Sequence, residues 1–336
     1  MVPTVSTEAY AAARHRAAFL DRSDRGRIAL TGNDRATYLQ GLLTNDIVAL
    51  KPGDGCYAAY LTPQGRMITD LFVYEVGDVM LLTMDGSLKD AVLAKLDQFI
   101  FAEDVQLGDV TETFAQIAVV GPEAARAVSA VLCGASSEAL SALGEHGNMR
   151  AQFDERPAIV ARITDAGEPG FDLFIEREQA GRLVSALSAA GFVPLGPEAA
   201  DAIRIEAGMP MFGRDMDAET IPLEAGIEKR AISFSKGCYV GQEVIIRVLH
   251  RGHGRVARKL VGLTIEGATA PAAGTPVRSG DRDVGVVTSS AISPALGDRP
   301  IALGYLHRDF LEPGTQLSVD GAGAVVTTLP FVSRQV

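Results

Sequence analysis

Hydrophobic and polar positions along this chain alternate between a helical and a strand period, and the changes of period mark its elements. Ile28-Ala29-Leu30 predicts a short strand. Asn33 or Asp34 is placed to cap a helix whose Ala36, Leu39, Leu42 and Leu43 share one face. Strand-like runs follow at Cys56 to Leu61, Met67 to Tyr74 and Val79 to Met84, divided by Pro63-Gln64-Gly65 and Gly77-Asp78, both turn chemistry. Leu88, Val92, Leu96, Phe99 and Ile100 then fall on one helical face, and Val105 to Val110 returns to a strand pattern.

A second round opens with a strand at Phe114 to Val120, a helix after Gly121-Pro122, strands at Ile159 to Ile163 and Phe171 to Ile175, and a helix through Leu183 and Leu187 stopped near Gly191. Beyond Arg255 the pattern becomes short alternating runs separated by Gly, Pro and Asp-Gly turns: Lys259 to Ile265, Val284 to Ser290, Ile301 to Leu306, Gln316 to Val319 and Ala324 to Leu329. The expected fold class is α+β, two helix-and-antiparallel-strand units followed by a small β-barrel or sandwich.

Composition narrows the function. The 336 residues are 47% apolar, enough for a sizeable core, and no run approaches the roughly 20 apolar residues of a membrane span, which places the protein in the cytoplasm with no membrane partner. A formal charge of -11 disfavours nucleic-acid binding as a main activity. Cys56, Cys133 and Cys238 lie far apart with no C-x-x-C pair, against a disulfide framework or a self-contained zinc site.

Cys238 sits in Lys236-Gly237-Cys238-Tyr239-Val240-Gly241-Gln242-Glu243, a glycine-flanked turn with a cation two residues away. An ammonium near a thiol favours thiolate, and Gln242 and Glu243 can supply hydrogen bonds or a proton. An inert cysteine in a tight turn is the other reading, and the local chemistry leaves both open. Between Val244 and Ile265 there is no acidic residue, whereas Arg247, His250, Arg251, His253, Arg255, Arg258 and Lys259 crowd together. Either an anion site or a solvated basic face follows. His250 and His253 lack a nearby carboxylate or thiol to complete a ligand set, so no resident metal is expected.

The K-G-C-Y-V-G-Q-E string, R-I-E-A-G-M-P-M-F-G at Arg204 to Gly213, D-R-A-T-Y-L-Q-G-L-L-T-N-D at Asp34 to Asp46, G-R-M-I-T-D at Gly65 to Asp70 and V-G-V-V-T-S at Val284 to Ser289 resemble YgfZ-type folate-binding proteins of the glycine-cleavage T-protein (aminomethyltransferase) superfamily. That resemblance implies two ferredoxin-like α+β units around a central folate cavity, spanning residues 1–254 (about 1–112 and 113–254, interleaving left open), plus a C-terminal barrel over 255–336. It implies tetrahydrofolate or a derivative as cofactor. By the same resemblance Asp70 faces the reactive folate nitrogens, Glu168 grips the pterin and Arg204 contacts the ligand. A carboxylate suits paired N–H donors, and an arginine fork suits an oxygen pair. The other readings are solvated caps for Asp70 and Glu168, and an ion pair with Glu206 or another surface acid for Arg204.

The chain departs from the T-protein pattern at Thr69 and Asp165, which points away from aminomethyl transfer. The resemblance therefore implies an accessory factor for iron–sulfur cluster assembly or repair, supporting enzymes that include tRNA-modifying ones. Cys238 would be its essential thiol, activated by Lys236 and able to ligate an iron–sulfur cluster transiently, with iron–sulfur assembly or client proteins as partners. A tetrahydrofolate-dependent aminomethyl or one-carbon transferase is the alternative.

Overall fold

The computed structural model describes residues 7–250 and 255–333. The first sheet orders its antiparallel strands Gly55–Leu61, Met67–Glu75, Met80–Met84, Gly26–Thr31, Gln106–Asp109. Its strands read as almost unbroken apolar runs because both faces are covered. Ile28, Leu30, Val73 and Leu82 pack against Leu39 of the helix Arg35–Leu42 and against Val92 and Leu96 of the helix Lys89–Asp97. The alternate residues Tyr57, Ala59, Phe72 and Tyr74 point the other way, where they meet Ala161 and Phe174 of the second sheet.

That second sheet runs Val193–Pro194, Ala18–Asp21, Phe114–Val120, Gly170–Glu176, Arg156–Ile163, Asn148–Phe153. Ala18–Asp21 pairs antiparallel with Phe114–Val120 and parallel with Val193–Pro194, so a strand from near the N-terminus enters a sheet otherwise built beyond residue 113. Val128 of the helix Ala124–Val131 and Leu183 and Leu187 of the helix Ala180–Ala189 cover its outer face over Ile117, Val119, Leu173 and Ile175. The sheets thus face each other with helices outside.

The C-terminal region is a closed six-stranded barrel in the order Arg258–Ile265, Arg299–His307, Arg282–Ser293, Pro276–Ser279, Gln316–Val319, Ala322–Thr327, the last strand pairing with the first. Closure removes the exposed edges that a sandwich of such short strands would carry. The helix Pro197–Glu206, with Pro197 in its first turn, joins barrel to sheets: Ile205 packs on Leu260, Ile301 and Leu303. Among the described residues no helix is long and apolar enough to cross a membrane.

Candidate active site

A cavity of about 510 Å³ opens between the two sheets, walled on its third side by the helix Pro197–Glu206 and the Met209–Arg214 loop. Asp70 faces it. Strand alternation puts Asp70, Phe72 and Tyr74 on one face of Met67–Glu75, and Tyr57 of the neighbouring strand donates its hydroxyl to Asp70 Oδ2 at 2.6 Å. Burial raises the Asp70 carboxyl above the ordinary carboxylate value, while the Tyr57 hydrogen bond and the nearby Arg25 charge pull the other way. The Tyr57 and Phe72 rings lie 5.0 Å apart, and Arg230 stacks 5.2 Å from the Tyr57 centroid. The result is an aromatic wall carrying a hydrogen-bonded carboxylate, in a cavity otherwise rich in charged side chains.

Beside it stands a charge cluster that the motifs did not point to. Arg22 pairs with Asp165 at 2.5 Å and with Asp172 at 3.3 Å, and Gln116 donates to Asp172 at 2.7 Å. Burial alone would push Asp165 up, but the Arg22 guanidinium more than offsets it and holds the carboxyl well below the usual carboxylate range. Asp172 is the more deeply buried, and its carboxyl is raised. The only sequence signal for Arg22 was its place in the charged run Asp21 to Arg27, between two apolar strands.

Arg204 lines the same cavity, yet its fork is already engaged. Nε donates to Asp201 at 3.0 Å, Nη1 to the Met209 carbonyl and to Asp215 at 2.7 Å each, and Nη2 to Ser289 Oγ at 3.0 Å. Arg204 thus pairs with Asp201 and with the buried Asp215, not with Glu206, and these contacts lock the helix and the Met209–Arg214 loop to the barrel. Glu168 is buried but does not line the cavity; its carboxylate pairs with Arg14, which also holds Glu206. Tyr10 joins this knot through a 2.7 Å hydrogen bond to Glu206, which, together with burial as the larger cause, pushes its hydroxyl up to about 12.

The K-G-C-Y-V-G-Q-E segment lies apart from the cavity, so Cys238, Lys236, Gln242 and Glu243 are not brought to Asp70. Lys236 Nζ donates to the carbonyls of Gln40 and Leu43 at 2.6 Å and Asn45 at 2.8 Å, which accounts for all three ammonium protons at the end of the helix Arg35–Leu42. Tyr239 is buried under that ammonium, its ring 5.2 Å from Nζ. Gly241 has φ +84°, and a Cβ there would stand 2.5 Å from the Thr62 carbonyl oxygen. Lys236 thus ties the segment to the end of the helix Arg35–Leu42, Gly241 seats it against the Thr62–Gly65 turn, and Cys238 is left exposed. Gln242 and Glu243 begin the helix Gln242–His250.

Gly241→Ala therefore combines a left-handed backbone with a backbone clash, and is expected to cost about 1–3 kcal/mol in urea unfolding. An unchanged midpoint would show that the turn is not tightly docked. Of the basic stretch, Arg247 and His250 are exposed. Arg258 pairs with Glu224 at 3.2 Å and lies 4.7 Å from the Tyr305 ring centroid; Arg251 and His253 lie outside the described residues.

Comparison with known proteins matches this geometry to one family. The family description "GCVT N-terminal domain" covers residues 2–236, and "Glycine cleavage T-protein C-terminal barrel domain" covers residues 258–333. The chain is 36% identical over 326 residues to an aminomethyltransferase of Rubrobacter xylanophilus, spanning 96% of this chain and 85% of that protein. It is 34% identical over 339 residues to one of Streptomyces coelicolor, spanning 98% and 90%. The crystal structure of glycine cleavage system aminomethyltransferase T from Bartonella henselae superposes with a TM-score of 0.87 at 24% identity, covering 98% of this chain and 90% of that one, and supports the fold.

These relatives overturn the expectation of an accessory factor for iron–sulfur assembly with client enzymes and a transient cluster. Proteins similar along nearly the whole chain carry the name of the alternative, a transferase, despite Thr69 and Asp165. The segment that suggested otherwise has a packing account in Lys236, Tyr239 and Gly241.

Proposed function

The chain belongs to the glycine-cleavage T-protein family, and from that premise we propose that it is a tetrahydrofolate-dependent transferase moving a one-carbon unit from an aminomethyl donor, with the folate held in the central cavity against Asp70. The observation that carries this reading is the Asp70 carboxyl itself: it faces an aromatic-walled cavity, is hydrogen-bonded by Tyr57 and has a raised proton affinity. A positioned carboxyl whose proton affinity burial raises is suited to take and return a proton.

The cavity suits the ligand. Its volume of about 510 Å³ lies within the roughly 300–1,000 Å³ of small-molecule sites. The rings of Tyr57, Phe72 and Phe212 offer apolar surface to a flat heterocycle, and Asp70 offers an acceptor to its N–H groups. Tetrahydrofolate would supply the two nitrogens that receive the carbon; overall, an aminomethyl thioether and tetrahydrofolate become thiol, ammonia and methylenetetrahydrofolate. Asp70 would accept a proton from an N–H held against it and return it to the departing amine. Arg204 acts on the cavity wall, fixing Met209 and, through Asp215, the backbone of Met211.

Incubation with tetrahydrofolate and an aminomethylated lipoyl carrier protein is expected to yield methylenetetrahydrofolate and ammonia in equal amounts. A blank with this and other aminomethyl donors would overturn the reading. A second expectation concerns pH. The Tyr57 hydrogen bond holds the Asp70 carboxyl down, so Tyr57→Phe raises it further, and the acid limb of kcat/KM moves to higher pH. An unmoved limb would assign that ionisation to another group.

A further inference from the structure

Five arginines line the central cavity: Arg22, Arg25, Arg204, Arg214 and Arg230. Four have a carboxylate within 4.0 Å: Arg22 meets Asp165 and Asp172, Arg204 meets Asp201 and Asp215, Arg214 meets Asp201, and Arg230 meets Glu145 at 3.9 Å. Arg25 has no such partner among the described residues. Its Nε donates to Thr83 Oγ1 at 3.2 Å and its guanidinium carbon lies 5.6 Å from the Phe72 ring centroid, while both Nη groups lack a hydrogen-bond partner among the described residues. Phe72 is two residues from Asp70 on the same strand face.

We propose that Arg25 is the carboxylate receptor of this cavity, its free fork taking in paired hydrogen bonds a carboxylate on the ligand bound beside Asp70. The identity of the ligands rests on the transferase reading; the receptor does not. A planar guanidinium anchored at Nε and laid against a ring presents its remaining N–H groups in one fixed direction, the geometry that matches a carboxylate. Its charge already reaches Asp70, Asp165 and Asp172, lowering the proton affinity of each. A carboxylate arriving on Arg25 cancels that influence, so ligand binding itself increases the proton affinity of Asp70. Two sources share this chemistry: the glutamyl end of a folate and a small amine donor that carries its own carboxylate.

Matched ligand pairs separate the sources. Calorimetry on the native chain, Arg25→Met and Arg25→Lys would compare tetrahydrofolate with tetrahydropteroate, which lacks the glutamate, and N-methylglycine with dimethylamine, which lacks the carboxylate. In one pair Arg25→Met is expected to weaken the carboxylate-bearing member by about 10–100-fold and to leave its counterpart unchanged, with Arg25→Lys between, because charge-assisted hydrogen bonds are lost only there. That pair names the source. Equal effects on both members of each pair, no effect at all, or failure of the native chain to bind either carboxylate-bearing ligand would overturn the proposal. Native binding of neither tetrahydropterin would instead remove the transferase reading, and the N-methylglycine pair would still decide the role of Arg25.

Discussion

Asp70→Asn is expected to lower kcat/KM for methylenetetrahydrofolate formation by about 10²–10⁴-fold, the usual range for removing a positioned general acid–base group. The fold should not weaken with it. Asn is nearly isosteric and can still accept from the Tyr57 hydroxyl. Because burial raises the Asp70 carboxyl, ionising it in the folded protein costs stability as pH rises from the unfolded value through the folded one. The amide has no such cost, so the urea midpoint at neutral pH should stay level or rise. Loss of activity with a lowered midpoint would make Asp70 a structural residue.

Arg22→Met is expected to have the largest effect on stability, about 3–5 kcal/mol at neutral pH, the range for removing one partner of a buried ion pair. The guanidinium serves two buried carboxylates, and methionine fills similar space with no charge to offer either. In the native protein the Asp165 carboxyl is depressed; its pairing stabilises the fold above the ordinary carboxylate pKa of about 3.9 and is lost as pH falls below it. In the variant both carboxylates lose their partner and take protons more readily. The stability gap between native and variant should therefore narrow from pH 7.5 to pH 4.5, measured by urea unfolding at each. A gap of the same size at both pH values would assign the effect to packing.

Much of this fold was legible because its period changes are clean. The strands around Ile28, Cys56–Leu61 and Phe114–Val120 and the helix through Leu39 follow directly from their spacing. Elements that depend on distant partners were not legible. Ala18–Asp21 and Asn148–Phe153 are too short or too polar to announce a strand, and sheet neighbours complete them. The helix expected to run through Phe99 and Ile100 ends at Asp97, and Phe99 stands exposed. Pro276–Ser279 becomes a strand only because the barrel closes around it.

The candidate site divides along the same line. Asp70 could be singled out from a motif, but Tyr57 and Arg25 reach it across strands and Arg22 meets Asp165 across 143 residues of chain, relations that no local pattern carries. Lys236 and Gly241 present the converse case. Their spacing around Cys238 suggested chemistry, whereas the ammonium caps three carbonyls and the glycine admits a neighbouring backbone. A motif held together by packing looks, in sequence, much like one held together by catalysis.

The most direct test of the central claim is an anaerobic calorimetric titration of tetrahydrofolate into the native chain, Asp70→Asn and Cys238→Ala. Saturable one-to-one binding that Cys238→Ala leaves intact and Asp70→Asn weakens would place the folate against Asp70, as the account predicts. No heat of binding with the native chain, or binding abolished by Cys238→Ala and untouched by Asp70→Asn, would contradict it.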